Sequence, residues 1–148
     1  MLRPTKILVP TDFSDSSDKA LKQALDIAKQ YNAEVYLFHV ISGEIRQCMA
    51  DYCMSDEEFQ NIETQMVKTA MDNIKGQMEK FPASKEMKVY TDVARGVPYE
   101  AILNEEKSKN IDLIVIASLG RTGLAKYFIG SVARNVLKGA KCPVLLTK

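Results

Sequence analysis

Short apolar runs alternate along the chain with longer segments in which apolar residues recur every three or four positions. Residues 7–9, 35–41 and 113–117 are almost continuously apolar and rich in β-branched side chains. Such runs are typical of strands buried on both faces of a parallel sheet. Residues 87–93 alternate between apolar and polar and predict a strand with one wetter face, and residues 143–147 predict a last strand.

Four amphipathic helices are predicted between these strands. Residues 14–17 are rich in capping side chains and predict the start of the first helix, and Asn32 predicts its end. Residues 55–58 form a capping-box sequence before the second helix. Pro98 suits the first turn of the third helix, and Gly139 lies near the expected C-cap of the fourth.

The resulting order is β-α-β-α-β-α-β-α-β. Strict alternation of buried strands and amphipathic helices predicts an open, doubly wound α/β fold, with five parallel strands in the order 3-2-1-4-5 and helices on both faces. The chain has 148 residues, which corresponds to one domain over residues 1–148. Residues 42–55 form a polar insert that we expect to be mobile.

Charge and cysteine content narrow the classes of function. Lys and Arg number 20 and Asp and Glu 19, so we expect neither nucleic acid nor an anionic membrane as a partner. The longest apolar run, residues 113–117, is far shorter than the roughly 20 residues of a membrane helix. Three cysteines and no apolar leader predict a reduced, cytoplasmic protein.

Open α/β sheets bind ligands beyond the carboxyl ends of their strands, where the strand order reverses. In the predicted order this point lies between the strand ending at 10–12 and the strand followed by 117–120. Gly130-Ser131 stands at a predicted helix start, where free N–H groups favour an anion. The P-loop and dinucleotide-binding glycine patterns are absent from the sequence. The alternative that these glycines only form turns and bind no ligand therefore stays open.

Three stretches carry a resemblance to a known family: ILVPTDFS at residues 7–14, GRTGL at 120–124 and GSVA at 130–133. In this order, on a five-stranded α/β pattern, they resemble the universal stress protein family over nearly the whole chain. The resemblance implies an adenine-nucleotide-binding α/β fold and a dimer. The family includes members that bind ATP, marked by G-x2-G-x9-G-[ST], and members that do not. Here Ala117 stands at the first position of that motif, and Gly120, Gly130 and Ser131 match the rest.

The resemblance favours ATP as the ligand, with Mg²⁺ or Mn²⁺ carried by its phosphates. It implies that Asp12 faces the ribose or a metal-bound water and that the Val40 backbone meets adenine. Ala117 would add a methyl group where the motif glycine lies against the sugar and phosphates. No catalytic residue and no protein ligand to a metal is predicted. The predicted nucleotide-binding residues are Pro10, Thr11, Asp12, Val40, Ala117, Gly120, Arg121, Gly130, Ser131 and Val132.

A homodimer is predicted from the two edge strands. The third strand carries Lys88 and Asp92, charges that discourage pairing with another sheet. The fifth, residues 144–147, is apolar and uncharged, so it predicts antiparallel pairing with a second copy. The resemblance implies the same dimer, acting as a switch or interaction module with an unidentified protein partner.

Several alternatives stay open. The chain could be a family member that binds no ATP and acts only through protein partners, or a slow ATPase. A receiver-like phosphoacceptor domain is another alternative, with Asp12, Asp92, Ser118 and Lys148 as its polar set. Cys48 and Cys53 have weak metal spacing, and His39 is interpreted as a core or strand-end histidine rather than a base.

Overall fold

A computed structural model of the protein describes residues 1–43, 51–119 and 129–148. Much of the predicted mobile insert at 42–55, together with Gly120 and Arg121 of the predicted site, lies outside these residues. The described elements, in chain order, are β1 (Lys6–Pro10), α1 (Asp15–Tyr31), β2 (Glu34–Ser42), α2 (Asp56–Glu79), a short 3₁₀ helix (Pro82–Glu86), β3 (Val89–Gly96), α3 (Pro98–Lys109), β4 (Leu113–Ala117), α4 (Ser131–Gly139) and β5 (Val144–Thr147).

The five strands form one parallel sheet in the order β3-β2-β1-β4-β5, which confirms the predicted fold class. Ile7 pairs with Leu113 at the centre, where β1 meets β4. The strand order reverses at this pair, because β2 continues the sheet on one side of β1 and β4 continues it on the other. The carboxyl ends of β1 and β4 therefore lie side by side.

Side-chain alternation along the central strands creates two separate cores. Ile7 and Val9 of β1 pack with residues of α1 and α2, on a side that we call the α1/α2 face. Leu8 packs with residues of α3 and α4, on the opposite α3/α4 face. All three β1 side chains are completely buried, as the continuous apolar run predicted.

The capping residues act as predicted at the first two helices. The Ser14 side chain accepts a hydrogen bond from Ser17 N at the start of α1, and Asn32 ends the helix in the left-handed conformation with φ 57°. Ser55 and Glu58 form a reciprocal capping box at the start of α2. These short motifs therefore set both helix starts.

One local prediction was wrong. β3 spans Val89–Gly96 rather than 87–93, because its pairing with β2 continues to Gly96 opposite Ser42. Gly139 lies near the C-cap of α4 as predicted: it is the last helical residue, and Ala140 is the cap. A Cβ at Gly139 would lie 2.5 Å from Leu103 Cδ1, so this glycine allows α3 and α4 to pack closely. Among the described residues, no helix has the length and apolar character needed to cross a membrane.

Candidate functional site

A cavity of about 320 Å³ opens at the carboxyl edge of the sheet, between β1 and β4. This volume lies at the lower end of the usual range for small-molecule sites. Most of its wall is apolar. The residues that line it are Pro10, Thr11, Asp12, Ser17, Phe38, His39, Val40, Pro98, Ile102, Ile116, Ala117, Ser118, Leu119, Gly130, Ser131, Val132 and Ala133.

The cavity brings together every predicted site residue that the structure describes. These come from four separate parts of the chain: the end of β1, the end of β2, the end of β4 and the start of α4. They are Pro10, Thr11, Asp12, Val40, Ala117, Gly130, Ser131 and Val132. Their role in binding a nucleotide stays a prediction.

The loop after β1 holds the Asp12 carboxylate against its own backbone. Asp12 Oδ1 accepts hydrogen bonds from the backbone N–H of Ser14, at 3.1 Å, and from the Ser14 hydroxyl. Ser14 is also the N-cap of α1, so the same serine connects the carboxylate to the helix. Asp12 is half-buried and is the one acidic side chain among the described residues that line the cavity.

Phe13 has a backbone conformation that sequence reasoning missed. Its φ is 65°, which is rare and costly for a bulky residue. Its N–H donates to Thr11 Oγ1 at 3.1 Å, and its ring lies 4.4 Å from the ring of His39, centroid to centroid. His39 Nδ1 is 2.7 Å from the Thr11 carbonyl oxygen and therefore carries the proton that it donates. No local sequence signal marks this turn, since Phe is not a residue of positive φ.

Thr11 borders the cavity, but its polar groups are each bonded within the protein. Its N–H donates to the Phe38 carbonyl at 2.8 Å, and its carbonyl accepts from His39. Its hydroxyl lies 2.8 Å from Gln77 Oε1, in the α1/α2 core. Thr11 therefore supports the wall of the site, and Gln77 is a supporting residue that the sequence did not indicate.

The start of α4 offers backbone donors to the cavity. Gly130 is the N-cap with φ −59° and ψ 155°, and no side chain caps the helix. The N–H groups of a first helical turn have no partner within the helix and attract anions. Any residue can adopt the Gly130 conformation, so what glycine contributes here is the absence of a side chain. Gly130 N–H itself donates to the Ser118 carbonyl at 2.7 Å, which joins α4 to the end of β4.

Ala117 replaces the first glycine of the ATP motif, and the structure shows which way its side chain faces. Along β4, Val115 packs in the α1/α2 core and Ile116 in the α3/α4 core. Ala117 continues the alternation and packs against the α1/α2 core. The apolar cavity wall instead includes Ile102, Ile116 and Ala133 of the α3/α4 face. The methyl group of Ala117 is therefore directed to the other face of the sheet.

The receiver-like arrangement does not form. Asp92 lies within β3, opposite Phe38, rather than at the carboxyl end of the strand beside Asp12. Over residues 1–43, 51–119 and 129–148, no three His, Cys, Asp or Glu side chains cluster as a metal site requires, and Cys48 lies outside those ranges. The pKa of the Cys142 thiol is raised to about 12, mainly because the thiol is partly buried and also because it hydrogen-bonds with Glu106.

Comparisons with known proteins agree with this architecture. The family model of the universal stress protein family matches residues 4–148. The chain is similar to universal stress protein MJ0531 of Methanocaldococcus jannaschii, with 34% identity over 97% of this chain and 81% of that protein. It is also similar to universal stress protein MJ0577 of the same organism, with 35% identity over 97% of this chain and 94% of that protein.

Solved structures show the same likeness. The structure of MJ0577 superposes with a TM-score of 0.78 and 33% identity, covering 99% of this chain and 97% of that one. Two more distant structures share the fold: a universal stress protein in complex with cAMP (TM-score 0.61, 22% identity) and one from Archaeoglobus fulgidus in complex with dAMP (TM-score 0.59, 20% identity). Each covers 99% of this chain and nearly all of its own, 98% for the cAMP complex and 100% for the dAMP complex. With its family model matched from residue 4 to residue 148 and relatives at 34–35% identity, this chain belongs to the universal stress protein family.

Proposed function

We propose that this protein binds ATP in the cavity between β1 and β4 and acts as a nucleotide-dependent switch in a stress response. The observation that carries the proposal is that an uncapped helix start and a carboxylate border the same apolar cavity. The complexes of family structures with cAMP and dAMP support an adenine nucleotide as the ligand class.

The chemistry of the wall suggests how ATP would lie. The apolar part, which includes Val40 and Ile102, suits the adenine ring. Asp12, on the β1 side, suits hydrogen bonding to ribose hydroxyls or to a metal-bound water. The backbone donors around Gly130 and Ser131 suit the phosphates. Mg²⁺ or Mn²⁺ would be held mainly by the phosphates, because Asp12 is the one carboxylate that the described cavity wall provides.

The direction of the Ala117 side chain supports ATP binding despite the incomplete motif. A glycine is needed at a phosphate site when a side chain would occupy the ligand's space. Ala117 packs with the α1/α2 core, and the apolar cavity wall belongs to the α3/α4 face. We therefore expect an Ala117→Gly variant to bind ATP about as well as the wild type.

Binding is tested by calorimetry and by thermal unfolding with ATP and Mg²⁺. A ligand present at 100 times its Kd adds about 2.7 kcal/mol to the free energy of unfolding, so the melting temperature should rise by several degrees. Gly130→Val should abolish the rise, because a branched side chain would fill the space in front of the phosphate donors. The matched control is Gly76→Val, since a Cβ at Gly76 meets nothing within 4 Å. A wild-type protein that shows no shift at millimolar ATP contradicts the proposal.

We also propose that the protein binds ATP without fast turnover, in the cytoplasm, and signals to a protein partner. A protein whose purpose is binding retains its nucleotide and releases phosphate slowly. The check is release of inorganic phosphate from ATP under multiple-turnover conditions, with Asp12→Ala as the comparison. Fast, metal-dependent turnover that Asp12→Ala abolishes would identify an ATPase instead.

A homodimer through β5 is part of the proposal. β5 is an edge of the sheet, and its Leu145 is 37% exposed. An edge strand has unpaired N–H and C=O groups that favour pairing with another strand. Pro143 and Thr147 bond to β4, so the alternate residue Leu146 directs its N–H to the free edge. Leu146→Pro removes that donor and should give monomers by light scattering, while Leu146→Val keeps the donor and should stay dimeric. A monomeric wild type at micromolar concentration, or a dimeric proline variant, contradicts the dimer.

A further inference from the structure

A buried polar network connects α2 with the loop that carries Asp12. Three of its side chains are almost completely buried: Thr11 at 6% exposed, Ser17 at 2% and Gln77 at 3%. Polar groups are costly to bury unless they are hydrogen-bonded, and here Gln77 is hydrogen-bonded to both Thr11 and Ser17. The network crosses the α1/α2 face, since Thr11 follows β1, Ser17 belongs to α1 and Gln77 to α2.

Gln77 is held in one orientation from both ends of its amide. Its Oε1 accepts a hydrogen bond from Thr11 Oγ1 at 2.8 Å. Its Nε2 donates to Asp18 Oδ1 at 2.8 Å and to Ser17 Oγ at 3.2 Å. Asp18 is fixed in turn by Lys80 Nζ, at 2.7 Å from Oδ2. Because the donor side is occupied by a carboxylate, the acceptor side of the amide faces Thr11.

The network reaches Asp12 along two branches. On the first, Thr11 Oγ1 uses its hydrogen toward Gln77 and accepts from Phe13 N–H at 3.1 Å, so the residues on both sides of Asp12 are fixed. On the second, Ser17 Oγ donates to the Ser14 carbonyl at 2.7 Å, and Ser14 bonds the Asp12 carboxylate. A loop held on both sides of one residue leaves that residue little freedom.

The conformation of Phe13 shows that the loop needs this support. A φ of 65° is costly for a large side chain and persists only where the surroundings hold it. The hydrogen bond from Phe13 N–H to Thr11 and the contact of its ring with His39 are the described interactions that hold it. Without a fixed Thr11 hydroxyl, the backbone between Thr11 and Ser14 has a lower-energy alternative and Asp12 moves with it.

We propose that Gln77 is a positioning residue that acts through Thr11 to hold Asp12 at the cavity and thereby sets the affinity for nucleotide. The inference rests on the proposed function for its second half, because it assumes that the cavity binds ATP. Its first half, that Gln77 fixes the loop, concerns the protein without ligand. The two halves are measured separately.

The first measurement is amide hydrogen exchange by NMR on the full-length protein without ligand. In Gln77→Met, which keeps the side-chain length and removes the amide, the N–H groups of Phe13 and Ser14 should exchange at least tenfold faster. The N–H of Val9 in β1 should keep its wild-type rate. Ile74→Val is the matched control, because it alters apolar packing of α2 one turn earlier and removes no hydrogen-bonding group.

The second measurement is the affinity for ATP with Mg²⁺ by calorimetry. Gln77→Met should weaken binding at least tenfold, and Ile74→Val should leave it within twofold of the wild type. Thr11→Val should weaken binding as Gln77→Met does, and Thr11→Ser, which keeps the hydroxyl, should retain the wild-type affinity. In an Asp12→Ala background the effect of Gln77→Met should disappear, which a general loss of stability would not produce.

The outcomes separate this inference from the proposed function. If the wild type binds no ATP, the proposed function is wrong, and the exchange rates alone decide whether Gln77 holds the loop. If the wild type binds ATP but Gln77→Met binds equally well, the positioning role is wrong and the proposed function stands. Unchanged exchange at Phe13 and Ser14, or an equal loss of affinity in Ile74→Val, likewise overturns the inference.

Discussion

The two faces of the sheet are covered by helices of different length, and the cavity is bordered by the starts of the two shorter helices. On the α1/α2 face the helices have 17 and 24 residues, whereas on the α3/α4 face they have 12 and 9. At 1.5 Å per residue, α1 spans about 25 Å and α4 about 13 Å. Pro98, the first residue of α3, and Gly130, the N-cap of α4, border the cavity at the carboxyl edge of the sheet.

The faces also differ in what they bury at that edge. The α1/α2 face places the Thr11, Ser17 and Gln77 network directly beneath the Asp12 loop. The α3/α4 face has apolar walls there, with Ile102, Ile116 and Ala133. A hydrogen-bonded network fixes a loop more sharply than apolar packing does, because its geometry is directional. One face thus supports the Asp12 loop, and the other supplies the apolar wall of the cavity.

Matched isoleucine truncations give the largest expected difference between the faces. Ile74 and Ile102 are both 2% exposed, but Ile102 borders the cavity and Ile74 does not. Replacing a buried isoleucine by alanine costs about 2–5 kcal/mol, and the cost is larger where the side chain is closely packed on every side. We expect Ile74→Ala to cost about 4 kcal/mol and Ile102→Ala about 2 kcal/mol, measured by urea unfolding. Equal costs would mean that the two faces are equally well packed.

Enlarging one alanine on each face should give a smaller difference in stability between the faces. Ala24 is completely buried on the α1/α2 face, and Ala133, 3% exposed, lines the cavity. Ala24→Leu should destabilise the protein by about 1–3 kcal/mol through overpacking. Ala133→Leu should cost less than about 1 kcal/mol, because the added carbons enter existing space, and it should abolish ATP binding. A large loss of stability in Ala133→Leu, seen by thermal unfolding, contradicts the comparison.

A last comparison concerns the thiols and tests how far the α3/α4 face excludes water. Burial raises the pKa of Cys142 to about 12, so at pH 8 very little of it is thiolate, the reactive form. Cys53 is exposed. We expect iodoacetamide at pH 8 to alkylate Cys142 on the order of a thousandfold more slowly than an ordinary thiol with a pKa near 8.5. Peptide mapping by mass spectrometry gives the alkylation rate of Cys142. A rate comparable to that of the ordinary thiol would show that water reaches Cys142 freely.

Predictions from local pattern succeeded where short-range interactions decide the structure. Ser14, Asn32 and the Ser55–Glu58 box act as the sequence indicated, because a cap is formed by residues within one helical turn. The end of β3 was missed because its last residues are held by pairing with β2, a contact between distant parts of the chain. The packing role of Gly139 was missed for the same reason, because it depends on Leu103 of another helix.

By itself the sequence determined the parallel sheet with helices on both faces, since alternating buried strands and helices allow few arrangements, and the strand order expected among these placed the site residues at its carboxyl edge. Only the tertiary structure decided how that edge is built. It directed the Ala117 side chain to the α1/α2 face, placed Phe13 at φ 65° and brought Gln77 to Thr11 across 66 positions of the chain. Such contacts depend on how separate elements pack, and no pattern within one element records them.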